Sequence, residues 1–143
     1  CRVAIPLIAR QGGAIVNTAS ISGLAADYGF SAYNAAKAAA INYTRTLAID
    51  HARDGIRVNA VCPGLIATPL TGGLTTAEGL REVYFDTIPM GRAGTPEEIA
   101  KVIGFLASSD ASFMTGSVVV ADGGATAHTG QPDLTRFLPT PGS

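Results

Sequence analysis

Residues 31–62 read S-A-Y-N-A-A-K-A-A-A-I-N-Y-T-R-T-L-A-I-D-H-A-R-D-G-I-R-V-N-A-V-C, and the change of composition along them decides the fold. Ser31 to Arg53 is rich in alanine and ends at Asp54-Gly55, where glycine can take the left-handed conformation that stops a helix. Ile56 to Cys62 is then a strand. Upstream, Ala14 to Thr18 is short, β-branched and apolar on both faces, as a buried parallel strand requires. Strand, long helix and strand make a βαβ unit with a right-handed crossover expected. In such sheets ligands lie beyond the carboxyl ends of the strands. Ser20 falls just past the first strand and Pro63-Gly64 just past the second, so both are expected at one crevice.

The stretch from Ser20 to Lys37, S-I-S-G-L-A-A-D-Y-G-F-S-A-Y-N-A-A-K, supplies that crevice with chemistry. Tyr33 and Lys37 are four apart in the helical segment, so their side chains leave one face one turn apart. A neighbouring cation favours the phenolate, which makes Tyr33 a usable proton donor or acceptor near neutral pH. Ser20 adds a hydroxyl, and Ser22 is its rival, more readily read as a cap of the loop. Asn59, polar within an apolar strand, reads as a hydrogen-bonded scaffold for the active-site loops. Cys62 reads as a small buried hydrophobe.

The remaining elements are punctuated by familiar signals. Residues 1–11 read as the last turns of a helix ending at Gly12-Gly13, and Ser20 to Gly29 as a loop. Thr71 to Pro89 is a polar segment with a short helix over 76–86, placed as a lid. Thr95 offers an N-cap, Pro96 the first helical position and Glu98 the closing member of a capping box, for a helix through about Ser108. Val118 to Val120 is the last strand, and residues 125–143 read as an unpatterned tail after a domain over 1–124. With three strands only, the strand at 14–18 is expected to be an exposed apolar edge that invites aggregation or pairing.

Composition narrows the classes of function. The chain has 143 residues, 47% hydrophobic and 15% charged, with ten basic and eleven acidic side chains. That is compatible with one globular domain and a real core. Without a basic run, and with few aromatics for stacking, a nucleic-acid partner is not expected. No apolar run reaches the roughly 18 residues of a membrane span. Cys1 and Cys62 are too few for a disulfide framework and lack zinc spacing, which fits a reducing, cytoplasmic setting. His51, where a helix should end, and His128 have no partner at ligand spacing, so no metal is expected.

G-A-I-V-N-T-A-S at 13–20, Y-N-A-A-K at 33–37, R-V-N-A-V-C-P-G-L-I-A-T-P at 57–69 and G-S-V-V-V-A-D-G-G at 116–124 resemble, in order and spacing, the classical short-chain dehydrogenase/reductase family. P-M-G-R-A-G-T-P-E-E-I-A at 89–100 resembles its 3-oxoacyl carrier-protein reductases and their alcohol dehydrogenase relatives. The resemblance implies an α/β fold, the C-terminal half of a doubly wound parallel-sheet (Rossmann-type) dinucleotide-binding fold. The family's glycine-rich phosphate loop and its asparagine-asparagine-alanine-glycine motif do not occur, and the chain starts at Cys1 without an initiator methionine. It is therefore expected to be the C-terminal half of a longer enzyme, inactive alone.

By the same resemblance the activity is NAD- or NADP-dependent interconversion of a secondary alcohol and a ketone. Tyr33 transfers the proton, Ser20 hydrogen-bonds the substrate oxygen, and Lys37 holds the hydroxyls of the nicotinamide ribose. Ser20 has the family's spacing of thirteen residues before the tyrosine, and Ser22 does not. Pro63, Gly64, Ile66 and Thr68 form the nicotinamide clamp. A homo-oligomer, dimer or tetramer, is implied, with small residues Ala35, Ala36, Ala38, Ala39 and Ala40 letting another helix approach. The rival expectation is an inactive remnant or interaction module that keeps this surface. Epimerases and dehydratases share the tyrosine-lysine pair but are not expected to carry the Pro63-Gly64 loop.

Overall fold

The two strands marked by β-branched residues both form and pair in parallel: β1 (Gly13–Thr18) lies beside β2 (Ile56–Pro63), with Gly13 opposite Ile56 and Thr18 opposite Val61. β3 (Val118–Ala121) flanks β2 on the other side, Ala60 opposite Val118 and Pro63 opposite Ala121, which gives the order β1-β2-β3. The computed structural model describes residues 1, 3–9, 11–131 and 133–137. As the central strand, β2 is sealed: Val58, Ala60, Val61 and Cys62 have no solvent-exposed surface.

Helix α1 is Ile5–Ile8, and α2, Ser31–His51, carries the chain from β1 to β2. Its buried residues Ile41, Thr44, Leu47 and Ala48 recur at helical spacing and form one stripe. Leu47 and Ala48 cluster with Ile56 and Val58, and Ile41 with Ala19 and Cys62. Even-numbered residues of β2 therefore face α2, and the pleat turns Arg57, Asn59 and Val61 to the other side. Three further helices follow β2: α3 (Gly72–Thr76), α4 (Leu80–Asp86) and α5 (Pro96–Ala107). α5 packs on β1 and β2. Arg57 donates to the Leu106 and Ser108 carbonyls, each at 2.8 Å, placing a cation on the unpaired C-terminal end of α5.

The sequence places α5 well because its signals are local. Thr95 Oγ1 accepts from the Glu98 N–H at 3.3 Å, and Glu98 Oε2 accepts from the Thr95 N–H at 2.8 Å, with Pro96 between them. Other expectations need correction. α2 ends at His51 rather than Arg53; residues 52–54 tighten into a 3-10 turn, and Gly55 at φ 73° closes it. The first helix is one turn long, not a run over 1–11, and Arg2 and Arg10 lie outside the described residues. The short lid helix expected over 76–86 starts only at Leu80, because Gly79 adopts φ 79° and begins α4 by donating its N–H to Glu82 Oε2 at 2.6 Å, and a separate helix, α3, precedes it.

Asn59 is fully buried and satisfied at both ends, but its partners are the Met114 carbonyl (2.8 Å) and the Ser117 N–H (3.0 Å). It therefore fixes the segment that enters β3, not the active-site loops, since it lies partway along β2 rather than at its carboxyl end. The tail expected over 125–143 contains a 3-10 turn at Leu134–Phe137, and Pro132 and residues 138–143 lie outside the described residues. Among the described residues β1 pairs on one side only, as the edge strand the sequence led us to expect.

Candidate active site

Two residues beyond β1, Ser20 caps a 3-10 turn (Ile21–Gly23) and is 8% exposed. Its Oγ accepts from the Ser22 N–H at 3.2 Å. The capping role expected of Ser22 thus belongs to Ser20, and Ser22 instead donates its hydroxyl hydrogen to Asp27 Oδ2. Gly23 lets this turn lie directly on α2, because a Cβ there would meet the Lys37 carbonyl carbon at 2.6 Å. Tyr33 is in the first turn of α2, 45% exposed, with the Phe30 ring edge-on to it at 6.3 Å.

Lys37, one turn on, reaches back to the sheet. Its Nζ donates to the Thr18 carbonyl, at the end of β1, at 3.1 Å, and lies 5.5 Å from the centroid of the Tyr33 ring. That is within cation–π range. The carboxyl end of β1 therefore connects the ammonium, the phenol beside it and the segment carrying Ser20. Cys62, buried beneath, has its thiol pushed up by burial.

The loop after β2 is built on bare backbone. Gly64 donates to the Ala121 carbonyl at 3.1 Å, and a Cβ there would stand 2.8 Å from Asp122 Cβ. Ile66 bridges Gly94: Ala67 N–H donates to the Gly94 carbonyl and Gly94 N–H to the Leu65 carbonyl, both at 2.9 Å. The polar backbone groups of Ile66 itself point the other way. Thr71 organises the turn, its Oγ1 accepting from the Thr68 N–H at 3.0 Å and donating to the Ile66 carbonyl. Sequence reasoning missed Thr71 and Gly94. The spacing T-P-L-T was the one available signal for the first.

A cleft of about 980 Å³ opens above Ser22, lined among others by Ile21, Asp27, Val83, Tyr84, Thr126 and Phe137. The expected lid contributes α4 to its wall, and the described part of the tail contributes Phe137. Burial pushes the Tyr84 phenol up, and the Asp27 charge adds to it. On the far side of the loop, burial acts to raise the Asp122 carboxyl. Hydrogen bonds from the Thr126 hydroxyl and the Gly124 and Thr126 N–H groups outweigh it and hold the group below the usual carboxylate range. Among the described residues no group of three His, Cys, Asp or Glu is placed to hold a metal, and no helix is long and apolar enough to cross a membrane.

The parallel sheet, the crossover helix bearing Tyr33 and Lys37, and the backbone loop after β2 define a class, and the chain belongs to the classical short-chain dehydrogenase/reductase family. A family model described as Enoyl-(Acyl carrier protein) reductase matches residues 1–126. The chain is 48% identical over 133 residues to meso-2,3-butanediol dehydrogenase of Serratia marcescens, covering 93% of this chain and 52% of that protein. It is 47% identical over 118 residues to a 3-oxoacyl-[acyl-carrier-protein] reductase of Thermotoga maritima, covering 82% of this chain and 47% of the relative. The structure of 4-hydroxyisoleucine dehydrogenase complexed with NADH superposes with a TM-score of 0.86 at 36% identity, over 90% of this chain and 54% of that one. The chain spans about half the length of the relatives it matches.

Proposed function

We propose that the protein is an NAD- or NADP-dependent oxidoreductase that interconverts a secondary alcohol and a ketone. The observation that carries this reading is the placement of Lys37, anchored on the Thr18 carbonyl while its ammonium lies 5.5 Å from the Tyr33 ring centroid. A cation there supports negative charge on the Tyr33 oxygen as a proton leaves it. In oxidation the alcohol carbon loses a hydride and the alcohol oxygen a proton, and Tyr33 takes the proton; in reduction Tyr33 returns it to the carbonyl oxygen. Ser20 hydrogen-bonds the same oxygen and supports the charge that develops on it. A nicotinamide cofactor, when bound, accepts or supplies the hydride.

The residues present fit the nicotinamide-ribose end of that cofactor. Lys37 commits one of its three hydrogens to Thr18, leaving two for ribose hydroxyls. Gly64 carries the backbone past the end of β2 with no side chain, and the turn that Thr71 ties together through the Thr68 N–H and the Ile66 carbonyl leaves the Ile66 N–H and the Thr68 hydroxyl as the groups for a carboxamide. The family match and the bound NADH of the neighbouring structure support this assignment.

Tyr33→Phe, made in the protein as expressed from its own gene, tests the reading. Cofactor affinity should stay within about twofold and turnover should fall by roughly 10²–10⁴. Retained turnover would sink the acid–base role. A second reading, an interaction module without turnover, draws on the outer face of α2, where Ala35, Ala36, Ala38, Ala39 and Tyr43 are exposed. The same face supports a homo-oligomer. Size exclusion with cofactor titration separates the readings, because soluble dimers that bind no NAD(H) or NADP(H) would favour the second.

A further inference from the structure

Ser20 and Ser22 are both nearly closed to solvent, at 8% and 9% exposure, and their contacts fix where each hydrogen goes. Ser22 Oγ donates to Asp27 Oδ2, a carboxylate oxygen that only accepts. A hydroxyl has one hydrogen. The 3.2 Å contact between the two serine oxygens must therefore use the hydrogen of Ser20, while the Ser22 N–H, also at 3.2 Å, fixes the position of the Ser20 oxygen. Asp27 is tied to the helix as well, its backbone carbonyl accepting from Asn34 Nδ2 at 3.1 Å, one residue beyond Tyr33.

We propose that Asp27 is a positioning residue that selects Ser20 over Ser22 as the donor to the substrate oxygen; this rests on the oxidoreductase reading of Ser20. With its hydrogen committed to Asp27, Ser22 cannot donate to Ser20 or to substrate and serves only as an acceptor. The hydrogen of Ser20 is then the one in the pair that can turn. It rests on Ser22 and swings to the substrate oxygen as negative charge develops there, while the oxygen that carries it stays anchored. Without the carboxylate, the Ser22 hydrogen is free to occupy the Ser20 oxygen or to compete for substrate, and the donor loses its fixed geometry.

The test is a set of variants in the protein as expressed from its own gene, read by kcat with saturating cofactor and by NAD(H) or NADP(H) affinity. Asp27→Ala should lower kcat by about ten- to hundredfold, the scale of a misplaced reacting group. Cofactor affinity should not change. Asp27→Asn, which keeps an acceptor for the Ser22 hydroxyl, should recover most of the loss. In a Ser22→Ala background Asp27→Ala should have no further effect, because Asp27 acts through Ser22 alone. A general loosening of the loop lowers kcat in both backgrounds, so equal losses overturn the proposal. An Asp27→Ala variant with kcat within twofold of the unsubstituted protein, or an Asp27→Asn variant as impaired as Asp27→Ala, overturns it too. Absence of turnover in the unsubstituted protein overturns the oxidoreductase reading and this one with it.

Discussion

A methyl group on residue 23 would stand 2.6 Å from the Lys37 carbonyl carbon, 2.7 Å from its oxygen and 2.8 Å from the Ala38 nitrogen. All three are backbone atoms of a helix and cannot swing aside. Gly23→Ala must therefore push the Ser20 turn away from the Lys37 turn, at a cost of about 1–3 kcal/mol in overpacking. Thermal unfolding should shift down and turnover should fall with it; an unchanged melting temperature would remove Gly23 as the contact that sets this spacing. Tyr33 and Lys37 were legible in sequence because one helical turn relates them, and Ser20 because it follows a strand. Gly23 and Asp27 were not, because their roles depend on how the loop lies against α2, and nothing local in S-I-S-G or A-A-D-Y announces that.

Among the elements, α5 shows how a few polar groups set a pH dependence. Glu98 accepts from both Arg92 nitrogens, at 2.9 and 2.7 Å, and from the Thr95 N–H at 2.8 Å. The Arg92 guanidinium first, and then the Thr95 N–H, hold its carboxyl down from 4.5 to about 2. Between those values the folded chain binds fewer protons than the unfolded one, so this contribution is complete above about 4.5 and is lost as pH falls toward 2. Glu98→Gln should flatten the fall of melting temperature over that window, measured by thermal unfolding across acid buffers. An unchanged slope would contradict the assignment. The capping box was readable because its members lie within four residues. The break of the lid at Gly79 was not, since a glycine inside a helical pattern is compatible with continuing it. The partners of Asn59 and Arg57, some 50 residues further along the chain, carry no local signature at all.

For the whole molecule, exposed area is the telling quantity. The chain presents 9457 Å² to solvent, whereas a compact monomer of its mass is expected to present about 6,900 Å². Part of the surplus is apolar, including Tyr43 and Ile49 on α2, and β1 offers an unpaired strand edge. Produced alone, the 143-residue chain should associate in a concentration-dependent way and bind a hydrophobic dye, read by size exclusion and fluorescence. A well-behaved monomer across concentrations would show that this surface needs no cover.

The register of the sheet has a kinetic corollary. Each β1–β2 pair joins residues 43 positions apart, and each β2–β3 pair joins residues 58 apart. Chain entropy must be overcome before any ladder bond forms, and contacts of such high sequence separation make folding slow. α2 can wind without waiting for them, and by spanning the interval between β1 and β2 it shortens the loop that remains to be closed. The helix that carries Tyr33 and Lys37 is thereby also the strut on which assembly of the sheet depends.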